Sequence, residues 1–282
     1  MGHRSHTDYY AGIGLIVAAA LAYSTAGLFT KGVEAGAWAV IFWRGVFASG
    51  LSAVWTVSRG EFRRNFLRMG RSGWAVAVVG ALGTAAFIPA FKLTSIANVS
   101  LIYAISPLIA AVLAWFAIGE RASARTLAGC FGALIGVGII VYGSLGTSSI
   151  YGDGLALCMT AAMASIMVIY RMAPETPGAG PTAMQSVLLL PVSAMLGAPL
   201  SVAFAEIVLL AAFGLLFAIA SVTLAEGSKR VPSGQTALIS SLETPLAPVF
   251  AFLIFAEVPG TATVLGGTAV LIAVLLCIGQ EK

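Results

Sequence analysis

Charge is scarce in this sequence. Only 9% of its 282 residues are Asp, Glu, Lys or Arg, against about 25% in a soluble domain. Histidine is scarcer still: His3 and His6 are the whole supply, and both lie in the amino-terminal tail. A serine- or metal-dependent hydrolase working inside the membrane would need histidine there, and an aspartyl pair is missing as well. No Walker motif is present, so ATP is not the direct energy source. The three cysteines, Cys130, Cys158 and Cys277, all fall in apolar runs with neither a disulfide framework nor zinc spacing. No cofactor or metal is expected, and no enzyme.

What is there is apolar residue, 59% of the chain. Runs of about 20 residues recur from end to end, the length that spans a bilayer as helix. They do not alternate as barrel strands would. The fold class expected is therefore an all-α integral membrane protein. Ten spans are predicted, roughly at 10–30, 36–58, 73–92, 97–118, 125–145, 152–171, 182–203, 206–226, 231–256 and 261–280. The first is too long, and has the wrong flanks, for a cleaved signal peptide.

The formal net charge of +4 does not point to nucleic acid, because the bases are sorted by side. With the amino terminus in the cytoplasm, 12 Lys and Arg fall on cytoplasmic segments, many of them between Arg59 and Arg71. Only Lys31 and Lys92 fall opposite, and Arg44 lies within a span. That asymmetry sets the orientation, and ten spans return the carboxyl terminus to the cytoplasm.

The chain also repeats. Residues 98–120 read NVSLIYAISPLIAAVLAWFAIGE and residues 235–257 read QTALISSLETPLAPVFAFLIFAE. Asn98 matches Gln235 and Glu120 matches Glu257 at an offset of 137, with Pro107 and Pro245 slipped by one. Gly129 and Gly266 keep that offset. Two halves of five spans, 1–145 and 146–282, are expected. Five is odd, so the second half enters the membrane inverted, the layout of secondary transporters whose site lies at the midplane between repeats.

The segment PLIAAVLAWFAIGER and its echo PLAPVFAFLIFAE resemble the signature of the drug/metabolite transporter superfamily, EamA type, and the resemblance runs along essentially the whole chain. Within that superfamily the sequence looks most like bacterial amino-acid exporters, aromatic amino acid exporters of the YddG type among them. One departure is Ala256, where the first half has Gly119 before its glutamate. The resemblance implies a multi-pass protein of the bacterial inner membrane that exports amino acids, and spans five and ten packed at the bundle edge, with monomer or homodimer both open. A multidrug or other small-metabolite exporter is the alternative. A nucleotide-sugar carrier, a membrane scaffold and an intramembrane enzyme rank lower.

Two ionisable residues lie within spans, and such residues usually face protein or water. Glu243 stands about 18 Å into its span, near the middle of a core of about 30 Å. It shares a helix face with Gln235, and the repeat maps these two onto Ser106 and Asn98. Pro107, Pro245 and Pro248 are expected to bend the two spans as gates, freeing the Tyr103 and Ser241 carbonyls. A wet central cavity would accommodate acid and bends; a structural acid bonded between helices is the other reading. Arg44 has four: a carboxylate anchor, a partner for Glu243, a helix cap, or a snorkelling surface base. Trp43 and Tyr103 are candidate walls of the site. The substrate-binding set is thus Arg44, Tyr103, Ser106, Glu243, Trp43, Asn98 and Gln235. Glu120 is expected to act as a structural cap, with Arg125 close enough to pair if the turn allows.

Overall fold

The computed structural model describes the chain except residues 1–5, 27–28, 30–32, 94–95, 143–148, 256–257, 259 and 279–282. Among the described residues every regular element is helical. In chain order the α-helices are α1 (His6–Ser24), α2 (Ala37–Ser58), α3 (Gly70–Leu93), α4 (Ile96–Tyr103), α5 (Ser106–Ile118), α6 (Ala124–Tyr142), α7 (Ile150–Met172), α8 (Ala179–Gly197), α9 (Phe204–Ser228), α10 (Ser233–Ser240), α11 (Glu243–Phe255) and α12 (Thr261–Cys277). A short π-helical turn, Arg63–Leu67, precedes α3, and a 3₁₀ turn, Pro199–Ser201, follows α8.

Among the described residues, seven stretches are long and apolar enough to cross a membrane: α2, the α4–α5 run from Leu101, α6, α7, α8, α9 and the α10–α11 run to Ile254. Helices α1 and α3 occupy the first and third expected spans, and α12 is apolar but only 17 residues long. The bundle's outside is greasy, with Phe116, Met195, Phe204, Leu253 and Leu276 all exposed. Trp55, Trp74 and Trp115 are exposed near helix ends, where aromatic belts sit.

Two of the expected spans are broken, and at matching places. Ala104 and Ile105 interrupt α4–α5; Ser241 and Leu242 interrupt α10–α11, again 137 residues on. This relocates the prolines. Pro107 and Pro245 stand in the first turns of α5 and α11, where a helix has no use for an N–H. The Ser241 carbonyl is not freed as expected: it accepts from the Thr244 N–H at 3.1 Å. Of the three expected gating prolines, Pro248 alone is interior to a helix.

The packing has an internal logic. The sequence pairs α1 with α7, α2 with α8, α3 with α9, α4–α5 with α10–α11, and α6 with α12. Helix α2 packs on α8 and α6 on α12, and each of these contacts maps onto itself when the partners are exchanged. The α3–α7 contact maps onto α1–α9, and α2–α9 maps onto α3–α8.

Lipid tails are as apolar as leucine, so helices in a bilayer associate by close packing rather than by hydrophobic drive. Glycine permits it at α6–α12. A Cβ on Gly136 would sit 2.7 Å from the Gly266 carbonyl oxygen, and one on Gly266 would sit 2.3 Å from that of Gly136. Between these helices and α1, α7 and α10 lies the main core, including Ile16, Val137, Met167, Leu238, Ile239 and Val270.

Candidate functional site

Helix α9 places three residues on one face, Phe213, Phe217 and Ser221, spaced by four. Gly214 lets that helix lie against α2, since a Cβ there would come within 2.8 Å of the Arg44 carbonyl oxygen. The close approach delivers both phenyl rings to Arg44. Its guanidinium carbon lies 4.2 Å from the Phe217 centroid and 5.4 Å from that of Phe213. A desolvated cation over an aromatic face is stabilised by about 2 kcal/mol or more. Arg44 is only 6% exposed, so it does not snorkel, and its Nε is buried without a hydrogen-bond partner among the described residues. Most buried polar groups are partnered, so a free guanidinium N–H here is a donor held ready.

From α1, Tyr23 reaches the same place. Its hydroxyl is 2.8 Å from Ser221 Oγ, and its ring meets Phe217 edge-on at 6.2 Å. Tyr23 is close enough to feel the charges of both Arg44 and Glu243.

Glu243 is the first residue of α11, and Tyr103 is the last of α4. The Tyr103 phenol lies close to the Glu243 carboxylate. The two helix breaks therefore bring Tyr103 and Glu243 near one another. A carboxylate at a helix amino end is also favoured by the helix dipole. Among the described residues no ion pair joins Glu243 to Arg44.

The other expected site residues divide. Ser106 opens α5 as Glu243 opens α11; it is buried, and its Oγ has no hydrogen-bond partner among the described residues. Trp43 donates its indole N–H to the Pro199 carbonyl at 2.8 Å and stacks on Phe47, tying α2 to the turn after α8. Gln235 stands apart, accepting from the Tyr9 hydroxyl at 2.9 Å. Asn98 lies in α4, and its side chain is outside the described residues. Tyr23, Phe213 and Ser221 were not singled out from sequence as site residues. Tyr23 and Ser221 each put a hydroxyl in the middle of an apolar run, which is the signal that could have found them.

Gln235 belongs to one end of the bundle, where α5 and α7 finish and α10 begins. Glu120 does not pair with Arg125 there. Its Oε2 takes the Arg171 Nε–H at 2.8 Å and its Oε1 takes the Ser233 backbone N–H at 2.7 Å. A cavity of about 180 Å³ adjoins, lined by Glu120, Arg121, Thr126, Arg171 and Gln235 among others. At the other end a cavity of about 360 Å³ opens among Gly36, Trp38, Pro89, Leu93, Leu196 and Gly197. Neither touches Arg44 or Glu243.

No group of three or more His, Cys, Asp or Glu is placed to hold a metal among the described residues. The central cluster offers one cation, one carboxylate, three hydroxyls and two phenyl faces, a set suited to recognition rather than bond cleavage.

No curated protein matches the sequence. A solved structure, described only as the crystal structure of a protein, superposes with a TM-score of 0.81 at 19% identity, over 98% of this chain and 97% of that one. This is a likeness of fold. Residues 10–142 match the EamA-like transporter family. With the apolar helices and that match over a little under half of its length, the chain is a multi-pass membrane protein whose first half is similar to the EamA-like transporter family.

Proposed function

We propose that this protein is a secondary exporter of amino acids, aromatic or other apolar ones favoured. It works by alternating access between two inverted halves of five spans, 1–145 and 146–282, in the bacterial inner membrane with both termini in the cytoplasm. The observation that carries the reading is Arg44, a buried cation with an unused N–H. A carboxylate is the group its planar fork fits best. The aromatic faces beneath it and Tyr23 beside it suit an apolar or aromatic side chain, and Glu243 supplies the opposite charge for an ammonium group.

The inverted halves are supported by the exchange pattern of the helix contacts and by the matched breaks. Broken helices that bring a site to the midplane are the usual construction of repeat transporters. The orientation is supported by the distribution of Lys and Arg.

The test uses proteoliposomes of the purified protein, loaded in turn with individual radiolabelled amino acids, with and without a pH gradient. Saturable flux competed by related amino acids is expected. Folded, inserted protein that moves none of them would shift the reading to a multidrug or other small-metabolite exporter, with Arg44 structural.

A further inference from the structure

The contacts of Glu120 go beyond capping. The Ala114 carbonyl takes the Glu120 N–H at 3.2 Å, and Gly119 ends α5 in the left-handed region at φ +69°. That turn, open to glycine without penalty, aims Glu120 across the bundle and away from the neighbouring Arg125. Each carboxylate oxygen then has its own donor, a guanidinium on one side and the amino end of α10 on the other. The guanidinium is steadied by the Lys229 carbonyl, 3.4 Å from Nη1 of Arg171. A further hydroxyl, Ser233 Oγ, is fully buried at the same helix end with no hydrogen-bond partner among the described residues. The donors come from α7 and α10, the carboxylate from the turn just after α5. A cavity of about 180 Å³ lies alongside.

We propose that Arg171 and the amino end of α10 form a second carboxylate-binding site, distinct from the one at Arg44, which Glu120 fills as a tethered occupant while the cytoplasmic mouth is shut. Its placement at the cytoplasmic side, though not its chemistry, rests on the orientation proposed above. Opening requires Glu120 to leave, because its contacts join helices of the two halves. A substrate carboxylate arriving from that side offers the same donors the same group, so the exchange replaces like with like. The site thus gives an incoming acid a first foothold and couples its arrival to release of the closure.

The experiment reads binding rather than transport, so failure of the amino-acid reading leaves it intact. Glu120→Ala protein in lipid nanodiscs is titrated with sodium acetate, and with acetamide at matched ionic strength, while thermal unfolding is followed. Acetate is expected to raise the Tm saturably by about 2–4 °C. Acetamide is expected to do nothing, and Glu120→Ala/Arg171→Ala is expected to lose the acetate response. A folded Glu120→Ala protein indifferent to acetate, or one that responds equally without Arg171, overturns the site. Should Glu120→Ala not fold, Glu120→Gln preserves the side chain's size. In that background Thr126→Cys, in the cavity wall, is expected to react with a maleimide several-fold faster than beside the native Glu120. An unchanged rate overturns the closure.

Discussion

The two broken helix pairs, α4–α5 and α10–α11, share a shape and differ in chemistry. Both break at the same point of the repeat, and both restart with a proline in the first turn. Yet α5 restarts on Ser106, whose hydroxyl has no partner among the described residues, and α11 on Glu243, whose carboxylate lies near Tyr103. The places of the breaks match, and their charge does not. A symmetric pair of bends can serve motion in either direction, whereas the unequal first turns give the centre one acid and one hydroxyl.

Erasing the inequality should have the largest effect. Glu243→Ser makes the second break resemble the first. It is expected to lower transport by about 10- to 100-fold, the size of a lost charge-assisted hydrogen bond, with helix content by circular dichroism unchanged. Near-normal flux would mean the acid is structural filler. The glycine contact of α6 with α12 comes next. Gly266→Ala forces a methyl against the Gly136 carbonyl and is expected to cost about 1–3 kcal/mol, read as a lower thermal midpoint.

The prolines sharpen the comparison further. Pro107→Ala and Pro245→Ala should each shift stability by no more than about 1 kcal/mol and leave the breaks in place, because first-turn prolines surrender no hydrogen bond. Pro248→Ala should instead restore an interior bond to the Thr244 carbonyl and slow transport. If all three variants transport alike, the bends are not gates. The smallest effect is expected from Ser106→Ala. Removing a buried hydroxyl without a partner should leave stability unchanged or raise it by a few tenths of a kcal/mol, and a raised KM would assign Ser106 to the substrate.

Much of this was legible before the structure. The prolines and the offset of 137 pointed to bends in both spans, because a repeated helix breaker is a strong local signal; that the helices stop outright just before Pro107 and Pro245 was not read. Glu243 stood out because an acid deep in an apolar run is expensive. The partners were not legible. Glu120 reaches Arg171, 51 residues away, because of one left-handed glycine, and sequence spacing pointed instead to Arg125. Phe213 and Phe217 were two aromatics among many until Gly214 brought their helix onto Arg44. The role of Pro245 was misjudged for a related reason. A proline is disruptive or welcome according to where the helix begins, and the break moved that point to Glu243.

The most direct test of the account is at Arg44. Proteoliposome flux of a radiolabelled amino acid is competed with an unlabelled amino acid and with its amide, in wild-type protein and in Arg44→Ala. The account predicts that the wild type prefers the carboxylate by about tenfold or more, as expected for a charged hydrogen bond in a dry site, and that Arg44→Ala competes the two equally. An Arg44→Ala protein that retains the wild-type preference would contradict it.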